Sequence, residues 1–205
     1  MIARNFARFC LVLGSFVLAL PDNAGAASQG STTPGTYRHW GGEIDEVTIL
    51  QPFGLDNYSD IAVESFDTGG VLLPNPQENT FAAAQLALNS IKPAFIEGFQ
   101  KNLRQKPGQT NSSRGRGETL VIRARLTQLD PGSQAARFWG RGLGGGSVKV
   151  EMIGEVIDAR SRKTLVRFRQ KREAGFGAFG GGYGDLFART ARHIGRDVAD
   201  LLNAF

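Results

Sequence analysis

Residues Asp130–Lys171 read DPGSQAARFWGRGLGGGSVKVEMIGEVIDARSRKTLVRFRQK. From Val148 the pattern has a period of two. Val148, Val150, Met152, Gly154 and Val156 take one parity; Lys149, Glu151, Ile153, Glu155 and Ile157 take the other. Alternation rich in β-branched residues predicts a strand with one buried face. Gly154 in its middle predicts a bulge or a close backbone approach. The polar run Arg160-Ser161-Arg162-Lys163 predicts a tight turn. Beyond it Val166 and Phe168 alternate with Arg167, Arg169 and Lys171. Carboxylates on one strand and bases on the next predict cross-strand pairs, Glu151 and Glu155 with Arg167 and Arg169. Each is worth only about 0.2–1 kcal/mol, so a solvated sheet face is the expectation, ahead of a charged ligand site.

The residues before this hairpin set the compartment. Arg4 and Arg8 precede an apolar run, Phe9–Leu20, which is too short to span a bilayer. Pro21 ends it, and Ala24-Gly25-Ala26 offers a small-x-small cleavage site. This is the form of a secretory signal peptide over residues 1–26, cut after Ala26 or Ala27. The single cysteine, Cys10, falls inside the run. A processed chain would have no thiol, so disulfides, thiol catalysis and cysteine-bound metal are excluded for it. A periplasmic or secreted location follows.

The 205 residues are 41% hydrophobic and 21% charged, which suits one folded domain. The isoelectric point is about 9.7, but the bases are scattered among acids, so no nucleic-acid partner is expected. The 27 glycines exceed the usual share of about 7%.

Taken in order, residues 27–58 read as a flexible leader followed by a weak strand around Ile44–Leu50. Residues 59–205 read as a single α+β domain. Asp60–Phe66 alternates and predicts the first core strand. Phe81, Ala84, Leu88, Ile91, Phe95, Phe99 and Leu103 recur at spacings of three and four and predict an amphipathic helix. Pro93 within it predicts a kink or a break near Ser90. Thr119–Asp130 predicts a strand with Arg123 and Arg125 pointing outward. Phe187, Ala191, Ile194, Val198, Leu201 and Phe205 predict a closing helix docked on the sheet. The fold class is therefore α+β: a mixed or antiparallel sheet of about four strands with two helices packed on one face. The first strand reaches its neighbour by a crossover through the long helix.

The residues from Asp130 to Leu165 resemble a bacterial family known as domain of unknown function 4410. The resemblance rests on Asp130-Pro131-Gly132-Ser133, Ala136-Arg137, glycines 140, 142 and 144, Val148, Val150, Val156, Asp158-Ala159 and Leu165. It implies an envelope protein with a sheet-and-helix fold, similar to periplasmic accessory proteins, and implies no catalytic residues. Two departures stand out. The family's turn commonly carries Thr-Gly-Lys where this chain has Arg160-Ser161-Arg162-Lys163, and the lipid-attachment cysteine of many relatives is absent.

No residue set here announces chemistry. Gly140, Gly142 and Gly145 fit G-x-G-x-x-G, but a strand is expected next, not the helix that a dinucleotide site needs. His39 and His193 lack metal-ligand spacing, and no serine sits in a nucleophile elbow, so no enzyme activity, cofactor or metal is expected. A meander of the last three strands would bring two glycine-rich loops to one rim. The first holds Arg137, Phe138, Trp139, Arg141 and Leu143; the second holds Phe176, Phe179 and Tyr183. Such a rim could bind an envelope protein or a membrane surface, cap the core, or join copies of the chain. Binding by a non-enzymatic accessory protein is the leading expectation. A carrier of an apolar ligand such as a lipid, or an unrecognised hydrolase, is the alternative. The sequence fixes no oligomeric state.

Overall fold

The computed structural model describes residues 31–41, 43–78, 80–104, 118–132, 147–175 and 183–205. In chain order the elements are strands β1 (Gly35–Trp40), β2 (Ile44–Ile49) and β3 (Asp60–Asp67), helix α1 (Phe81–Asn102), strands β4 (Thr119–Asp130), β5 (Val148–Asp158) and β6 (Thr164–Ala174), and helix α2 (Tyr183–Leu202). One sheet runs in the order β1-β2-β6-β5-β4-β3. All neighbours are antiparallel except β3 and β4, which are parallel. The fold is α+β.

The expected sheet of about four strands is corrected to six. The two additional strands are β1 and β2, a hairpin laid on the free edge of β6. Residues 35–37, expected at the end of a flexible leader, begin β1. The hairpin holds because Ile44, Val47 and Ile49 are buried at alternating positions and Trp40 closes over them. That pattern is short and interrupted by acids, so in sequence it reads weakly.

The meander β4-β5-β6 is as expected, and β3 reaches β4 through the α1 crossover. Even-numbered residues of β5 face the core: Val148, Val150, Met152 and Val156 are fully buried. A register shift between Leu126 and Gln128 resets the parity of β4, so that both Leu126 and Leu129 point inward. A bulge of this kind adds one residue and bends its strand. Gly154 answers to a close approach: a β-carbon there would lie 2.3 Å from Cζ of Phe168, its partner across the β5–β6 ladder. The ring of Phe168 fills the place of the missing side chain.

Helix α1 is continuous from Phe81 to Asn102 with Pro93 inside it; the expected break is absent. Pro93 and Asn89 both lie on the exposed side. The carbonyl left without a donor by the proline therefore faces water, which removes the main penalty. Ala84, Ala87, Ile91, Phe95 and Phe99 face the core, and Phe95 touches Phe66 of β3 with ring centroids 5.5 Å apart. The two helices lie unusually close. A β-carbon on Gly98 would sit 2.0 Å from the Arg192 carbonyl oxygen, and one on Gly195 would sit 2.1 Å from that of Phe95. Helix α2 ends at Leu202, so Phe205 falls outside the expected helical stripe; it stacks on Phe53 at 4.3 Å and its carbonyl accepts the Leu55 N–H, docking on the segment before β3.

Candidate functional site

The register of the meander decides where its loops leave. Asp130 is paired with Lys149, and Val148 with Ala174. The end of β4, the start of β5 and the end of β6 therefore lie at one end of the sheet, where the segments after Asp130 and Ala174 leave. The edge is built from local polar contacts. The Asp130 carboxylate accepts the Gly132 N–H at 2.7 Å, turning the chain through a residue whose φ of 70° suits glycine. Glu173 sits between Lys149 and Lys171, with oxygen–nitrogen distances of 3.8 and 3.4 Å, and Ser147 Oγ donates to it at 3.4 Å. Arg137, Phe138, Trp139, Arg141, Leu143, Phe176 and Phe179 lie outside the described residues. The backbone of Tyr183 opens α2. The glycines of the G-x-G-x-x-G string are also outside the described residues, and the next element is strand β5, not a helix.

The outer sheet face is a lattice of alternating charges. Arg167 meets Glu155 at 2.9 Å and Arg169 meets Glu151 at 4.0 Å, as expected from the sequence. Arg123 meets Glu64 at 2.6 Å and Arg125 meets Asp67 at 2.9 Å. Exposed Ile153 stands between Arg125 and Arg169 in the ladder. Asp67, Arg123, Arg125, Ile153, Glu155, Arg167 and Arg169 line a shallow cavity of about 590 Å³. Cations and anions nearly balance along it, so the face carries no strong preference for either sign.

A buried polar cluster ties the N-terminal hairpin to α2. The Asp197 side chain is fully buried and accepts from Gln170 Nε2 at 2.8 Å and from Arg172 Nε at 2.7 Å. Gln170 also donates to the Glu43 carbonyl at 2.8 Å and accepts the Asp45 N–H at 2.9 Å. Arg172 reaches on to the Glu43 carboxylate, whose pKa its hydrogen bond and charge hold below the ordinary value. The Asp197 hydrogen bond, followed by that of Glu43, raises the pKa of Arg172. Every member has partners, which is the condition for a buried charge to be tolerated. The cluster works as a clamp: beyond the last β2–β6 pair, Glu46 with Arg169, it replaces the backbone ladder.

At the opposite end of the sheet from the loops, Tyr58 donates to Asp158 Oδ2 at 3.1 Å and Arg160 meets Glu118 at 2.7 Å. Burial, reinforced by the Asp158 charge, pushes the phenol up to about 12. The Ser161 N–H, at 2.8 Å, holds Asp158 below the usual carboxylate range. His39 and His193 are both exposed. Among the described residues no three or more His, Cys, Asp or Glu side chains are grouped to hold a metal, and no helix is long and apolar enough to cross a membrane.

The family model for the domain of unknown function DUF4410 matches residues 61–178, more than half of the chain. The protein is a member of the DUF4410 family. The DUF4410 span begins in β3, contains α1, the whole meander and the segment between β4 and β5, and ends at residue 178, before Phe179 and Tyr183; the β1–β2 hairpin and α2 lie outside it. No curated protein matches the sequence. Among solved structures, a PelC dodecamer from Paraburkholderia phytofirmans is similar at 9% identity and a TM-score of 0.33, over 73% of this chain and 96% of that one. A candidate lipoprotein from Caulobacter crescentus CB15 gives 9% and 0.34, over 73% and 91%. A DUF330 protein from Xanthomonas campestris gives 11% and 0.34, over 68% and 80%. At such identities and scores nothing about assembly, location or partner passes from them to this DUF4410 protein.

Two of these features were not legible beforehand. Gln170 and Asp197 carry no motif, and a lone polar residue on the inward face of a strand and of a helix, Gln170 at the parity of Phe168, was the available signal. Tyr58 and Asp158 are 100 residues apart and meet only because β3 and β5 both flank β4.

Proposed function

We propose that this protein is a non-enzymatic accessory protein of the bacterial cell envelope, periplasmic or secreted after removal of residues 1–26, and that it acts by binding. The binding surface is the rim formed by the two glycine- and aromatic-rich loops, with Phe138, Trp139, Leu143, Phe176, Phe179 and Tyr183 as apolar anchors and Arg137 and Arg141 at the margin. Its partner is an envelope protein, with a membrane surface as the other occupant of the same chemistry.

The observation that carries this reading is the shared end of the sheet: Asp130 beside Lys149, and Val148 beside Ala174. Two segments remote in sequence, each combining aromatic residues with glycines, are anchored side by side on rigid strands. Aromatic side chains and arginines are the residue types enriched where protein surfaces meet. The location rests on the basic, apolar and small-residue order of the first 26 residues. The apolar-carrier reading has less support, because Phe95, Phe99 and Phe187 are fully buried between helices and sheet and fill the space such a ligand would take.

The test is the double variant Trp139→Ala with Phe179→Ala, purified from the native envelope under mild crosslinking. The reading predicts an unchanged circular dichroism spectrum and loss of the co-purifying partner. Unfolding of the variant would make the loops core caps, and retention of the partner would move binding elsewhere.

A further inference from the structure

The end of the sheet remote from the loops is also concave. A cavity of about 470 Å³ opens there, where four chain segments converge: residues 51–58, the entry to β4, the β5–β6 turn and the start of β6. Its polar lining includes Gln51, Asn57, Tyr58, Glu118, Asp158 and Lys163, with Phe53 and Leu165 supplying apolar surface. A volume of a few hundred cubic ångströms with a few convergent polar groups is what small-molecule sites have.

The charges in it are of both signs and only partly consumed. Asp158 is already filled: Tyr58, the Ser161 N–H and hydroxyl, and the Arg160 N–H all bond to a carboxylate that has room for about four donors. Glu118 spends Oε1 on Arg160 at 2.7 Å, and its other oxygen has no partner among the described residues. Lys163 has no carboxylate partner among the described residues, although its backbone N–H reaches Ser161 Oγ. The amides of Gln51 and Asn57 add donors and acceptors, both on exposed side chains.

We propose that this cavity binds a small zwitterion of the amino-acid or short-peptide type. The ligand's ammonium group would sit against the unused oxygen of Glu118, with the Asp158 charge nearby, its carboxylate against Lys163, and its side chain against Phe53 and Leu165. A neutral polyol would use the amides but leave both charged groups without an ionic partner. A simple anion would meet two carboxylates, and a simple cation would leave Lys163 unmatched. The site is independent of the loop rim, which lies at the other end of the strands.

The test is an NMR titration of the ¹⁵N-labelled protein, purified from its host, with L-alanyl-L-alanine. The N-acetylated dipeptide, the dipeptide amide and glucose serve as comparisons. The proposal predicts saturable shifts confined to Asn57, Ser161, Lys163 and their neighbours. Blocking either end of the dipeptide should weaken binding about tenfold or more, the effect of losing one charge-assisted hydrogen bond. Glu118→Gln and Lys163→Met, both rim substitutions that leave the Tyr58–Asp158 bond in place, should each do the same. Absence of saturation, an equal response to glucose, or an equal response to either blocked dipeptide would overturn the proposal.

Discussion

The carbonyl oxygen of Arg192 lies where Gly98 has no side chain, 2.0 Å from the point a β-carbon would occupy. Gly195 faces the Phe95 carbonyl in the same way at 2.1 Å. The two helices are thus held together by reciprocal glycine contacts between main chains, and neither main chain can give way as a flexible side chain would. Gly98→Ala and Gly195→Ala should each cost about 1–3 kcal/mol, the range for overpacking a filled interior. Gly184, in the first turn of α2, has nothing within 4 Å of its would-be β-carbon. Gly184→Ala should be neutral or stabilise by up to about 1 kcal/mol through its helix propensity. Urea unfolding of the three variants checks the contrast.

The pairing of Gly154 with Phe168 makes a second, coupled prediction. A β-carbon at Gly154 would also come within 2.9 Å of the Arg123 carbonyl oxygen, so ring and main chain both resist it. Gly154→Ala should cost about 1–3 kcal/mol. In a Phe168→Leu background the same substitution should cost less, because the ring is gone, and the shortfall is the coupling energy read by a double-mutant cycle.

Buried and exposed ion pairs should behave differently. Asp197→Ala would leave Arg172 and fully buried Gln170 without their shared acceptor and should cost about 3–5 kcal/mol. Arg167→Ala removes one arm of the exposed pair with Glu155, where both side chains are more than a third accessible, and should cost at most about 1 kcal/mol. Denaturant midpoints of the two variants give the comparison.

Stability should fall at both ends of the pH range for identifiable reasons. Tyr58 has its folded pKa raised from 10.0 to about 12. The unfolded chain therefore loses the phenol proton first, and the stabilisation present below pH 10 is lost as pH rises toward about 12. Tyr58→Phe should flatten that alkaline decline while losing the Asp158 hydrogen bond at neutral pH. Glu43 is lowered from 4.5 by Arg172. Its contribution is present above that value and fades as pH falls through the lowered folded pKa. Because Glu43 is largely exposed, Glu43→Gln should change the acid limb only modestly. Thermal unfolding midpoints across pH read both limbs.

Much of the fold was legible because the signals were repetitive. Eleven-residue β5 and β6 alternate cleanly, and the outward positions of Arg123, Arg125, Arg167 and Arg169 follow from parity alone. The β3–α1–β4 crossover followed from a strand, a long amphipathic helix and a strand. Strand β1 was not legible, since Gly35–Trp40 shows mostly exposed residues and gains its ladder from β2, not from a buried face of its own. Of the kink or break that Pro93 suggested, the break is absent for a local reason: the acceptor it strands is on the wet side of α1. The loop rim was inferred from topology, which needs only strand order, whereas the Tyr58 cavity depends on side chains that converge from distant segments.

The central claim is that the two aromatic loops act as one binding surface. Its most direct test is a photo-crosslinking amino acid placed at Trp139 and, separately, at Phe179, with irradiation of living cells. The account predicts that both positions capture the same envelope component, and that exposed control positions on the charged sheet face, such as Arg167, do not. Capture of different components by the two loops, or of none by either, would contradict it.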